Sequence, residues 1–321
     1  MLREIDGFLA IDKPTEMSSA RITAIVKKLL GAKKVGHTGT LDPFATGVML
    51  LCLGKATKLA RFFLQGKKTY EGILKLGIET DTQDLTGRIT AVCDPINISE
   101  EFILDVFKKF EGTIRQLPPV FSALKHNGAP LYKLARMGKP FQKPARTVHI
   151  YDLDVSEIRF PEIKFRVTCS AGTYIRTLVA DIGKILGCGG HLKALKRTKV
   201  AIFKIEEAVS LQELEKSAQD GVFNTSQGIG DYLIPMTKAL KHMPEYMVGK
   251  DTAEDIVNGR KIHHKDLTVM INPEKKAVED FVMEQAVEKY VKVVNNHGRL
   301  IAVLSFEKNS KSYKYCCVFP D

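Results

Sequence analysis

One carboxylate stands apart in the first quarter of the chain. Between Glu16 and Glu71 the only acidic side chain is Asp42, and ten lysines and arginines from Arg21 to Lys68 flank it. It lies in Gly36-His37-Thr38-Gly39-Thr40-Leu41-Asp42-Pro43-Phe44-Ala45-Thr46-Gly47. Three glycines allow a backbone with φ > 0 that approaches a ligand closely. Pro43 biases Asp42 away from the helical region, so its carboxylate sits on a turn or extended backbone. A lone carboxylate on a rigid loop among cations suits a nucleophile or base acting on a polyanion. The other use of an Asp before Pro is a structural Asx turn. Taken alone, the loop leaves both open.

Other residues widen the choice. Arg176 falls near the start of a helix, where the dipole favours anions, and lies off the apolar stripe. That position suits either a specific acidic partner or a solvated arginine. From Gly112 to Tyr151 there is no acidic residue, and Lys125, Lys133, Arg136, Lys143 and Arg146 alternate there with Phe121, Tyr132 and Phe141. Such a stretch reads as a mobile basic arm that meets phosphates and stacks on bases, the alternative being a solvated loop. A second acid-free run extends from Ile182 to Ile205. Gly54-Lys55-Ala56-Thr57-Lys58 lacks the upstream glycine spacing of a phosphate loop, which excludes a P-loop NTPase. Cys188 with His191 is half a zinc site without a second half.

The 321 residues carry a net charge of +11 and a pI near 9.2, which favours an anionic partner, nucleic acid or an acidic membrane surface. Hydrophobic residues make up 44% and charged residues 26%, the balance of a globular protein. The six cysteines form no CxxC pair and read as small core residues in a reducing compartment. With no signal-peptide pattern and no bilayer-length apolar run, a cytoplasmic protein without a membrane partner is expected.

The elements that must hold these groups follow from periodicity. Phe8–Ile11 reads as a strand. A helix capped by Ser18 or Ser19 carries Ile22, Ile25, Val26, Leu29 and Leu30 and ends at Gly31. Val48–Leu53 reads as a buried strand, and Lys68–Leu76 as a strand with Tyr70, Gly72, Leu74 and Leu76 on one face. Residues 80–87 form a polar turn before a strand at Arg88–Val92. Ser99 opens a helix expected to carry Phe102, Val106, Phe107 and Phe110. Val148–Ile158 and Ile163–Cys169 pair as strands. The helix from Tyr174 to Leu186 presents Ile175, Leu178, Val179, Ile182 and Ile185. Ser210 with Glu213 caps a further helix, and polar sequence runs from Gln219 to Gly230. After Tyr246 comes a short helix stopped by Gly259, then β-like runs at Leu267–Ile271, Tyr290–Val294, Leu300–Phe306 and Tyr313–Phe319, a small β-rich module. The residues alone support an α+β or α/β domain with that appendage.

The loop around Asp42 resembles the catalytic motif of bacterial tRNA pseudouridine(55) synthases, the TruB family. Other motifs match in the same order: Asp12-Lys13-Pro14 with Ser18-Ser19, Lys68-Thr69-Tyr70, Pro118 to Lys125, Tyr132 to Arg136, Cys169 to Leu178 and Leu192 to Arg197. The likeness spans roughly residues 7 to 240, and Asn258-Gly259-Arg260 with the β-rich sequence resembles, more loosely, the PUA-type RNA-binding module that ends the family. Ala201 departs from it, standing where the family usually has glycine, a change that bears on a turn and touches no catalytic role.

The resemblance implies an α+β pseudouridine synthase fold: a mixed, largely antiparallel sheet with flanking helices and a central RNA-binding cleft. It implies a catalytic domain at 1–243, with the RNA-binding arm at about 112–147, and a PUA-like domain at 244–321. Asp42 becomes the catalytic aspartate that isomerises uridine 55 of the tRNA T loop, by covalent addition or by proton abstraction through a glycal. Arg176 pairs with it, and the guanidinium favours the charged carboxylate and fixes its geometry. Tyr70 stacks on the flipped base, His37 replaces the loop's stacking partners, Leu195 lines the uracil pocket and Tyr174 supports the ion pair. The arm clasps the T stem-loop through Lys125, Lys133, Arg136, Lys143 and Arg146. No metal, cofactor or obligatory protein partner is implied, and a monomer is expected. A binding-only RNA protein and a phosphate hydrolase are the rival classes; the latter would need a second acid and metal ligands that the sequence does not offer.

Overall fold

The computed structural model describes residues 4–94, 98–221, 229–267, 269–271, 290–307 and 309–320. The first half runs β1 (Gly7–Lys13), α1 (Ser19–Leu30), β2 (Val35–His37), β3 (Thr46–Leu53), a 3-10 turn at Gly54–Leu59, α2 (Ala60–Leu64), β4 (Lys68–Leu76), β5 (Ile78–Thr80), β6 (Ile89–Val92), α3 (Glu100–Lys108) and β7 (Gly112–Gln116). The arm follows with β8 (Lys125–His126), β9 (Ala129–Pro130) and α4 (Leu131–Arg136). Then come β10 (Arg146–Arg159), β11 (Glu162–Cys169), α5 (Ile175–Ile185), β12 (Gly190–Val200), β13 (Phe203–Lys204), β14 (Val209–Ser210), α6 (Leu211–Gln219) and α7 (Met236–Ala239). The last part holds β15 (Glu245–Val248), α8 (Lys250–Val257), β16 (Ile262–His263), β17 (Val269–Ile271), β18 (Tyr290–Asn295), β19 (Leu300–Glu307) and β20 (Ser312–Val318). Most of the polar stretch at 219–230 and residue 268 of the expected run at 267–271 lie outside the described residues.

Local chemistry sets the element ends. Ser18 Oγ accepts from the Arg21 amide at 3.2 Å to open α1, and Gly31, at φ 60°, closes it. Ser99 caps α3 in the same way, and Glu100 and Glu101 suit its positive end. The buried face of α3 is Ile103, Val106 and Phe107; Phe102, expected there, is 41% exposed. It sits one helical step off the i, i+3, i+4 stripe that meets the sheet. Ile185 likewise faces out at the end of α5.

Ten strands form one sheet in the order β14-β1-β3-β12-β4-β11-β10-β7, with β2 added to β3 and β13 to β12. Within this sheet, among the described residues, only β1–β14 and β3–β12 are parallel, so the sheet is mixed and largely antiparallel. Helices α3 and α5 bury Val106, Phe107, Leu178 and Ile182 against Leu74, Ile163 and Phe165. Each such fully buried side chain contributes roughly 1.5–3 kcal/mol. Helices α1 and α6 cover β1 and β3 elsewhere.

Ala201 adopts φ 50° while fully buried, its amide bonded to Lys67 O at 2.8 Å. Left-handed backbone costs a Cβ-bearing residue about 1–2 kcal/mol, the physical reason a glycine suits this turn.

Strands β15 to β20 form a second, six-stranded sheet in the order β16-β20-β19-β18-β15-β17, with Ile256 of α8 in its own core. It is docked on the first unit by Lys55 Nζ, Lys58 Nζ and Arg61 Nη2, which donate to the carbonyls of Pro320, Val318 and Cys316 at 2.8, 3.0 and 2.7 Å. A 3-10 turn rises about 6 Å and two strand residues about 6.6 Å, so a cation at every third residue meets every second carbonyl. Phe63, Met243, Val303 and Phe319 share one apolar cluster beneath this ladder.

Candidate active site

The Asp42 loop is clamped at nearly every residue. Strand β2 pairs with β3, and the Thr38 amide extends that ladder to Leu50 O at 3.1 Å. Ser19 Oγ donates to Leu41 O at 3.0 Å and accepts from the Leu41 amide at 2.9 Å, fixing the residue before the aspartate. Beyond it, Thr15 Oγ1 donates to Phe44 O at 3.1 Å. Lys13, fully buried, donates to Pro14 O, Met17 O and Pro43 O at 2.7, 2.7 and 3.1 Å, using all three ammonium protons. Burial pulls its pKa down to about 8, against the opposing pull of Asp42. Gly47, at φ 103°, admits no side chain, since a Cβ there would lie 2.2 Å from Arg197 O.

Both oxygens of Asp42 go to one guanidinium. Arg176 Nε donates to Oδ2 at 2.9 Å and Nη2 to Oδ1 at 3.2 Å, a two-pronged pair that displaces the Asx-turn alternative. The arginine side chain is 4% exposed and that of Asp42 is 34% exposed, so the carboxylate keeps one open side while its partner is enclosed. The picture of Arg176 as a residue off the buried stripe is corrected. It points inward, and Nη1 and Nη2 also donate to Thr82 O and Phe121 O at 2.9 and 3.0 Å. Asp84 lies 3.6 Å from Arg176 Nε and is itself buried, its Oδ1 accepting from Thr82 Oγ1, the Thr86 amide and Thr86 Oγ1. Two carboxylates thus share one buried cation.

Tyr70 lies opposite Arg197 on β12 and Val167 on β11, where it is 8% exposed, as is Leu195 opposite Gly72. Burial raises the Tyr70 pKa, and the Arg197 charge opposes that rise. Arg197 is buried and donates to Val48 O at 2.8 Å and to Gly39 O at 3.2 Å, bolting β12 to the loop and to β3. His37 is partly buried, its Nδ1 accepting from the Gly39 amide at 3.3 Å; burial and then Arg197 lower its pKa. The backbone of Tyr174 is bracketed by the Gln116 amide. The structure therefore brings Asp42, Arg176, Tyr70, Leu195 and His37 around the β3–β12 junction.

Of the arm residues, Lys125, Lys133 and Arg136 are exposed, and Lys143 is partly so. Asn127-Gly128, both at positive φ, close the β8–β9 hairpin as a two-residue turn. Arg136 rests near the Tyr132 ring and Lys143 near Phe141, which stacks on His126 at 3.7 Å. Arg146 turns inward onto Tyr174, 4.7 Å from the ring. Asp84, Lys13, Gln116 and Arg197 escaped the sequence reading as site residues; only Lys13 and Arg197, each inside a matched motif, carried a signal. Cys188 and His191 bond to the Gly189 and Ile78 carbonyls.

The TruB-family pseudouridylate synthase N-terminal model matches residues 27–175, and the tRNA pseudouridylate synthase B C-terminal model matches 176–241. The chain belongs to the TruB family of pseudouridine synthases. It is an isomerase of that family, a tRNA pseudouridine synthase. Among similar proteins is the tRNA pseudouridine synthase B of Geotalea uraniireducens, 42% identical over 79% of this chain and 80% of the relative. That of Francisella tularensis subsp. tularensis is 49% identical over 66% of this chain and 70% of its own length. A chain of a Cbf5-Nop10-Gar1 complex has a TM-score of 0.72 at 26% identity, covering 98% of this chain and 85% of that one. That likeness embraces the second sheet as well as the first, as expected for a pseudouridine synthase fold with a PUA-type appendage.

Proposed function

We propose that the enzyme converts uridine 55 in the T loop of tRNA to pseudouridine. The N1–C1′ bond breaks, uracil turns over, C5 bonds to C1′, the C5 proton leaves and N1 takes up a proton, so the product is an isomer of the substrate. The observation that carries this reading is Asp42, partly exposed and held on both oxygens by a buried guanidinium. That arrangement aims a fixed carboxylate at a flipped nucleotide, whose extrusion costs a few kcal/mol of unstacking. Asp42 acts on the nucleotide by addition to it or by proton abstraction. Tyr70 stacks on the base, Leu195 bounds the uracil and His37 fills the space left in the loop. Tyr174 backs Arg176. Lys125, Lys133, Arg136 and Lys143 hold the stem, in part through phosphates, while Arg146 is turned inward onto Tyr174. Residues 1–243 form the catalytic unit and 244–321 a second RNA contact, and the protein works as a cytoplasmic monomer without metal or cofactor.

The test is positional. Unmodified tRNA transcripts with uridine or cytidine at position 55 are incubated with the protein, and pseudouridine is mapped by carbodiimide adducts and primer extension. A stop at position 55 in the first transcript and none in the second is expected. Adducts at another position, or none in either transcript, would refute the assignment.

A further inference from the structure

The arm leaves the large sheet at Gln116 and rejoins it at Arg146, and these two residues are direct partners in the β7–β10 ladder. Both side chains grip the same turn, Gly172–Tyr174, immediately before α5. Gln116, 1% exposed, accepts from the Tyr174 amide at 2.8 Å and donates to Tyr174 O at 3.0 Å. Donor and acceptor are both committed, so the carboxamide holds one orientation. Tyr174 is the N-cap of α5 and has no side-chain cap bond of its own. Arg146 donates through Nη2 to Gly172 O and lays its guanidinium on the Tyr174 ring. Gly172, at φ 86°, leaves room for it; a Cβ there would sit 3.3 Å from Arg146 Cζ.

Two residues after Tyr174 comes Arg176, which holds Asp42 and also takes Phe121 O from within the arm. Both roots of the arm and one of its carbonyls therefore converge on residues 172–176. The rest of α5 is packed through Leu178, Val179 and Ile182, so a shift of the arm roots falls on the helix's first turn. We infer that Gln116 and Arg146 are positioning residues that couple the seating of the arm on RNA to the geometry of the Asp42–Arg176 pair. The inference rests on the reading that the arm holds RNA. A displacement near 1 Å at a reacting group lowers rates about a hundredfold, so a small movement is enough.

Gln116→Met keeps the length of the side chain and removes both bonds; Arg146→Lys keeps the charge and removes the fork and the stacking. Each is compared with wild type for the single-turnover rate on a saturating, unmodified T-stem-loop transcript and for the Kd of that transcript. Hydrogen exchange of residues 172–178 is followed with and without the RNA. The single-turnover rate should fall by about tenfold or more in both variants while Kd moves by less than about threefold. RNA should slow exchange at 172–178 in wild type, and in Gln116→Met that slowing should vanish while it persists in the arm. Should Gln116→Met unfold early, Gln116→Glu, which still accepts from the Tyr174 amide, is expected to show an intermediate rate. Wild-type rates in the variants, a loss confined to Kd, or RNA-induced slowing at 172–178 that survives Gln116→Met would overturn the coupling and leave the assignment of function standing. Slowing that passes from arm to 172–178 in a wild type that makes no pseudouridine would do the reverse.

Discussion

Replacing Arg176 by methionine should unfold the site for a reason that a second substitution can isolate. The guanidinium is 4% exposed and is shared by Asp42 and Asp84, whose side chains are 34% and 6% exposed. Without it, water can solvate Asp42, but Asp84 becomes a buried charge with only hydroxyl and amide partners. Removing one member of a buried ion pair costs about 3–5 kcal/mol, and most of that should fall on Asp84. At about 2–4 °C per kcal/mol, Tm should drop by about 6–20 °C. Asp84→Asn alone should destabilise by about 1–3 kcal/mol, since it weakens a satisfied buried acceptor. In the Arg176→Met background the same change removes the orphaned charge, so it should stabilise. The sign of its effect should therefore invert, a coupling well above the few tenths of a kcal/mol expected of independent sites. Thermal and urea unfolding followed by circular dichroism on the four proteins of this cycle would measure it. Additive losses would refute the shared-cation account.

Three further outcomes follow from named contacts. Gly47→Ala must push its methyl into the Arg197 backbone, 2.2 Å from the carbonyl oxygen; a loss above about 3 kcal/mol in urea unfolding is expected, and wild-type stability would mean that β3 and β12 can separate. Burial holds His242 neutral, with a pKa of about 3 against an ordinary 6.5. As pH falls from 6.5 towards 3 the unfolded chain binds a proton that the folded one refuses, so stability should drop by up to about 1.4 kcal/mol per pH unit. His242→Phe should flatten that limb in urea titrations; an unchanged slope would show that other groups cause it. Lys133→Ala and Arg136→Ala should each lower the slope of log K against log salt for T-stem-loop binding by roughly 0.7–0.9, and filter binding that shows the wild-type slope would remove them from the phosphate contacts.

Local structure was legible where local chemistry decides it. Ser18 and Gly31 bound α1, Lys68–Leu76 is a strand to the residue, and the β10–β11 pair follows from its alternation. The loop around Asp42 could be singled out because no other acid lies near it in sequence. Its pairing with Arg176, 134 residues away, is a tertiary fact that came only through the family resemblance. Arg176 itself misled, because helical periodicity places it off the apolar stripe and cannot show that the loop after β5 and the arm close over it. Asp84 was hidden among Asp81 and other polar residues of a turn, where Gln83 at φ 63° gives the chain a path no spacing rule anticipates. Gln116 looks ordinary in sequence and Arg197 stood out only as the end of a matched motif; their roles arise from the strands they face. Phe102 shows the limit of composition, since the larger hydrophobe lost the inward position to Ile103 by one helical step.

The central claim, that Asp42 held by Arg176 performs the isomerisation, meets its most direct test in tritium release. Wild type and Asp42→Asn are incubated with an unmodified T-stem-loop transcript labelled at uracil C5, with Kd measured on the same RNA. Release by wild type and none by Asp42→Asn, at similar Kd, is the expected result. Release by both proteins would place the chemistry on another residue and contradict the account.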